Sequence, residues 1–255
     1  MVLSGLYVIP HGDELVDNPS QGSIESRKEI ERIAGKDRAE SMAIISPHGV
    51  RLRNSIAVIN TERVRANFRT ATKNLRRWYF TDRALAKSIV DSSENTADEI
   101  QFITTSGSLS SFPADFGTVI PLSFFRRTRI VSMGQTRTES RERLLSFGRL
   151  LFRAIDHYNG KVSLIISADQ AHTHSRIGPY GYSDKAEKYD EIVRECIDTN
   201  NFRKLIELSD SFIEQAKPDS YWNMIILSSI LKESGISLHV RHYYVEKYFG
   251  MLVAS

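Results

Sequence analysis

Two stretches decide how this chain is read: Leu6-Tyr-Val-Ile-Pro-His11-Gly-Asp13 and Met42-Ala-Ile-Ile-Ser-Pro-His48-Gly49. In each, a short apolar run ends at proline, histidine and glycine. Proline has no backbone donor and closes a strand ladder. Glycine then turns the chain sharply, because positive φ costs it little. The imidazole between them is presented rigidly from a strand tip. A third run, Val162-Ser-Leu-Ile-Ile-Ser167, is followed by Ala168-Asp-Gln-Ala-His172. In an open α/β sheet, ligands bind outside the carboxyl ends of the strands, so residues distant in sequence converge there.

Further β-branched runs lie at Ile56–Asn60, Ile100–Thr104 and Arg129–Met133. Helix-period stretches separate several of them. Ser23–Ala39 is one, with Ser26-Arg-Lys-Glu29 spaced as a capping box and so predicted to start the helix. Thr138–Tyr158 is another, carrying Leu144, Leu145, Phe147, Leu151, Phe152 and Ile155 on one broad face. Strands alternating with helices predict an α/β fold of three layers, α/β/α, around a mostly parallel or mixed central sheet. Leu238–Ala254 reads as two strands around Glu246-Lys247, an antiparallel edge. Gly178–Lys217 reads as mainly helical. No repeat or long linker divides the chain, and residues 1–255 are expected to form a single domain.

The composition is that of an ordinary globular protein, 41% hydrophobic and 25% charged, with a formal net charge of +3. The stretch from Arg51 to Arg77 is locally basic, but acids intersperse the cations elsewhere, so no nucleic-acid partner is expected. The single cysteine, Cys196, permits no internal disulfide and reads as a small buried hydrophobe in a cytoplasmic protein. The apolar run Met1–Pro10 is too short to span a membrane and reads as the first strand.

Two imidazoles at strand tips suit iron, zinc or copper. A carboxylate usually completes such a set while leaving positions open. Asp13, Asp169, Asp219 and Glu246 are the candidates. Asp219, in Lys217-Pro-Asp-Ser-Tyr-Trp222, also has the place of a helix N-cap. The residues alone do not choose among the four.

Five ordered strings carry a resemblance: Pro10-His-Gly-Asp13, Ser46-Pro-His-Gly49, Asp115-Phe-Gly-Thr-Val-Ile-Pro-Leu122, Ser167-Ala-Asp-Gln-Ala-His172 and Phe249-Gly-Met-Leu-Val-Ala254. Together they resemble the catalytic-subunit family of class III extradiol ring-cleavage dioxygenases. The resemblance implies a non-haem Fe(II) enzyme that opens a catechol- or aminophenol-like ring with O2. His11 and His48 match its metal-ligating histidines. Asp219 falls where its carboxylate lies, near the start of a late helix, with Glu246 as second choice. His172 matches its active-site base, and His174 is a neighbour able to share that role or to contact Asp184. Asp115 and Tyr180 are expected at the substrate, with Tyr182 beside them. Members often carry a histidine, a second acid, where this chain has Phe116, so Asp115 or a water is expected to take over. Relatives of this fold also bind zinc, which sets a zinc hydrolase or a non-catalytic binding protein against the dioxygenase reading. The family's habit predicts a homo-oligomer.

Overall fold

β1 (Leu3–Ile9), β2 (Ser41–Ser46) and β9 (Val162–Ser167) are adjacent, parallel and buried on both faces. Alternation along them sorts side chains between two cores. Leu6, Val8, Ala43, Ile45, Leu164 and Ile166 enter one; Tyr7, Ile9, Met42, Ile44 and Ile165 enter the other. This is why the runs are apolar throughout rather than alternating. Each isoleucine buried here contributes about 2 kcal/mol relative to exposure.

The structure, a computed structural model, describes residues 3–104, 110–138 and 140–255. Met1, Val2 and Glu139, which the strand and helix readings included, lie outside them. The remaining strands are β3 (Ile56–Ile59), β4 (Arg63–Arg69), β5 (Asn74–Phe80), β6 (Ala97–Ile100), β7 (Ser111–Pro113), β8 (Arg129–Gly134), β10 (Val240–Glu246) and β11 (Phe249–Ala254). The helices are α1 (Gln21–Ala34), α2 (Arg83–Asp91), α3 (Phe116–Leu122), α4 (Arg141–Asp156), α5 (Lys185–Thr199), α6 (Arg203–Ile206), α7 (Asp210–Ala216) and α8 (Tyr221–Ser234). The main sheet has eight strands in the order β10-β11-β1-β9-β2-β8-β3-β6. It is mixed: β8 meets β3, and β1 meets β11, antiparallel. One face packs on α2, α4, α5 and α8, the other on α1, α3 and a small sheet β5-β4-β7. The fold is therefore the three-layer α/β arrangement.

Two expectations are corrected, and one stretch left unread takes shape. Helix α1 begins at Gln21, because Ser20 caps it by accepting from the Ser23 amide. Ser26 is instead a buried helical residue bonded to His242 Nδ1 at 2.8 Å. The strand expected at Ile100–Thr104 ends at Ile100, and it begins upstream at Ala97. The basic stretch folds into β4 and β5, where Val64 and Ala66 face inward while Arg65, Asn67 and Arg69 face out. Period-two alternation was its signal, masked by the arginines. Cys196 is buried, as its surroundings predicted.

Candidate metal centre

Parallel pairing of β1, β9 and β2 brings their carboxyl ends together. His11 follows β1 immediately after Pro10, and His48 follows β2 after Pro47. Asp169 and His172 lie on the loop after β9. Neither Gly12 nor Gly49 adopts positive φ, contrary to the turn expected of them. Space is the reason for glycine: a Cβ at Gly49 would stand 3.0 Å from Gly134 Cα, and one at Gly12 3.0 Å from the Met251 side chain.

His11 Nε2, His48 Nε2 and Asp219 Oδ2 form a nearly equilateral triangle. The two nitrogens are 3.1 Å apart, and the oxygen lies 2.9 Å from His11 and 3.1 Å from His48. His11 is 1% exposed, whereas 30% of the His48 side chain meets solvent, so the triangle opens on one side only. Asp219 lies just before α8, but its side chain does not cap that helix; the N-cap is Ser220. The Gln135 side-chain amide donates to the Asp219 carbonyl at 2.7 Å and ties this turn to the end of β8.

Hydrogen bonds set the tautomer of His11. Ser167 donates its one hydroxyl hydrogen to the Gly117 carbonyl at 2.6 Å. It therefore accepts from His11 Nδ1, 2.9 Å away. Neutral His11 then carries its proton on Nδ1 and presents a bare Nε2 to Asp219. Two imidazole lone pairs and a carboxylate oxygen pointing at one another need a cation among them. In its absence a proton serves. Burial opposes charge on His11, but the carboxylates of Asp169 and Asp219 outweigh it and raise the imidazole to about 9. Burial alone would raise Asp219; His11 overrides it and holds that carboxyl far below its ordinary range. Burial and the Asp219 charge raise Asp169. This donor set fits a divalent metal.

His172 borders the triangle. Its Nδ1 donates to the Gln170 carbonyl at 2.8 Å, leaving Nε2 bare. An open pocket of about 250 Å³ is lined by His48, His172, Asp219, Tyr180, Arg137 and Trp222 among others. Phe116 packs against His48 with the rings tilted and their centroids 4.1 Å apart. A roomier cleft of about 820 Å³ beside Arg149, Arg203 and Lys232 holds no histidine.

Several expected residues stand elsewhere or act otherwise. Glu246 is not at the centre; its carboxylate accepts from Ser20 at the start of α1. Asp13 lies in a short 3-10 turn outside the cluster. Asp115 is the N-cap of α3, its carboxylate taken by the Ser46 hydroxyl at 2.5 Å and the Thr118 amide at 3.0 Å. His174 pairs with Asp190 at 2.8 Å rather than with Asp184. Tyr180 is half-exposed, with its ring centroid 6.0 Å from that of His172. Ser167 and Arg137 were missed by sequence reasoning. Ser167 ends a strand already singled out, which was a usable signal; Arg137 carried none.

The family model for the catalytic LigB subunit of aromatic ring-opening dioxygenase matches residues 5–254. The chain belongs to this family. A curated relative of this LigB-type chain, Protein CA_C1420 of Clostridium acetobutylicum, is 28% identical over 222 residues. The match covers 78% of this chain and 46% of the relative, so the chain spans about half the length of the curated relative it matches. The crystal structure of uncharacterized protein JW3007 from Escherichia coli K12 has a similar fold, with a TM-score of 0.67 at 12% identity and 98% of each chain covered. Among the described residues, no helix is long and apolar enough to cross a membrane.

Proposed function

We propose that this chain is an extradiol-type dioxygenase, in which Fe(II) held by His11, His48 and Asp219 serves to open a catechol- or aminophenol-like ring with O2. The observation that carries the reading is the ligand triangle with 2.9–3.1 Å edges beside a bare histidine nitrogen. Donors this close together suit a single divalent ion, and two imidazoles with one carboxylate are a set that ferrous iron accepts. Iron bound there supplies Lewis acidity and a common anchor for substrate oxygens and O2.

The protein's own groups do the rest. His172 Nε2, its partner nitrogen tied to Gln170, accepts the proton of a substrate hydroxyl. Phe116 offers an aromatic wall beside His48 and no proton, so His172 carries proton transfer without the second acid common in the family. Arg137 lies over Trp222 with its guanidinium carbon 4.9 Å from a ring centroid and has no hydrogen bond among the described residues. Burial and nearby Arg51 both work against its charge. An unpaired cation at the mouth favours an aromatic substrate bearing a carboxylate.

Protein purified without air and loaded with Fe(II) should turn catechols, above all carboxylated ones, into yellow ring-opened products when O2 is admitted. His172→Ala should lower turnover by ~10²–10⁴ while iron stays bound. Absence of product from every catechol and aminophenol tried rejects the activity; full turnover in His172→Ala rejects the assigned base.

A further inference from the structure

The lone pairs converging at the strand tips do not end with the first triangle. Asp169, His172 and Asp219 also place one ligand atom each within 4.8 Å of one another. Of its two ring nitrogens His172 has Nε2 to offer, because Nδ1 is engaged with the Gln170 carbonyl. Asp169 uses Oδ1 to accept the His11 amide at 2.8 Å, and its Oδ2 stands 3.5 Å from His11 Nε2. Asp219 turns Oδ2 to the two imidazoles, and its Oδ1 is buried with no hydrogen-bond partner. Asp219 is only 8% exposed and Asp169 only 4%. A buried acceptor without a donor is costly, and a carboxylate oxygen more so than a neutral one. An ion in the first triangle answers Oδ2 and leaves Oδ1 as it was.

We propose that Asp169, His172 and Asp219 form a second divalent-cation site, with Asp219 as a carboxylate shared between the two ions. Two-metal centres are built on such sharing. One imidazole and two carboxylates suit zinc, manganese or ferrous iron. The second site goes beyond the ring-opening reading and bears on it. The lone pair that it takes is the one the substrate proton needs, so an ion there competes with the base. Filling of the first site alone leaves His172 free; filling of both withdraws it.

The probe is Zn(II) alone, counted per chain after equilibrium dialysis of the metal-stripped full-length protein. The wild type should hold two zinc ions. His172→Ala and Asp169→Asn should each hold one, with unchanged circular dichroism. His172 is partly exposed, so its variant carries the test even if Asp169→Asn does not fold. One zinc in the wild type, lost in His48→Ala, overturns the second site and leaves the first centre standing. Two zinc ions retained by His172→Ala overturn it as well. No zinc at all in the wild type overturns both.

Discussion

Two buried aspartates meet histidines at almost the same distance and do opposite things. Asp190 lies 2.8 Å from His174 Nε2, and Asp219 lies 2.9 Å from His11 Nε2. Around Asp190 every neighbour is a donor: the Ala171 amide at 2.9 Å, the Tyr243 hydroxyl at 2.7 Å and the His174 ring. It is a clip that fastens the loop after β9 to α5 and β10. Around Asp219 the neighbours are lone pairs, and one of its oxygens has no partner. The difference teaches that an aspartate–histidine contact does not by itself mark a metal centre. What marks one is a set of acceptors left facing one another.

The largest expected effect removes the charge that closes the acceptor set. Asp219→Asn should cut metal affinity by at least ~100-fold, since altering mere supporting groups of a metal site already costs 10–100-fold. Metal content after dialysis measures it, and full loading of the variant would erase the contrast with Asp190. Asp190→Ala should behave in the reverse way. It strands three donors and should destabilise the fold by about 3 kcal/mol in urea unfolding, while the folded protein keeps its metal. Metal loss without destabilisation would mean that both aspartates serve the centre.

The pH dependence of the metal-free protein sharpens the same point. His11 is raised from 6.5 to about 9 in the fold. Its charged form therefore stabilises the folded state fully below pH 6.5, and that contribution is lost as pH climbs through about 9. The metal-free melting temperature should fall across this window. Metal affinity should rise across it, because the ion displaces the proton. A metal-free melting temperature that is flat between these limits would refute a proton standing in for the ion. The smallest effect belongs to Arg137→Ala, which should raise KM for a carboxylated catechol about tenfold and leave plain catechol unchanged. Equal changes for both substrates would remove the anion from the mouth.

Much of this was legible in the chain. The Pro-His-Gly strings announced strand tips and both imidazoles, and the third run placed His172 near them. The carboxylate was not legible from the residues alone. Asp13, Asp169, Asp219 and Glu246 each had a reasonable context, and the resemblance rather than the spacing preferred Asp219. Glu246 fell away only when β10 carried it to Ser20. That the Asp115 carboxylate caps α3 was not legible either, because its place beside Phe116 pointed only to the site. The small sheet was overlooked because arginines on its outer face disguised the alternation of Val64 and Ala66 within it.

By itself, the amino-acid sequence determined which segments become buried strands and where histidines leave them, since apolar runs and proline act locally. Only the tertiary structure decided which acid closes the triangle, which serine sets the tautomer of His11, and which aspartate is merely a clip. Those answers depend on lone pairs contributed by residues up to 208 positions apart. Whether such a lone pair meets a donor or another acceptor is a property of packing, and no local pattern records it.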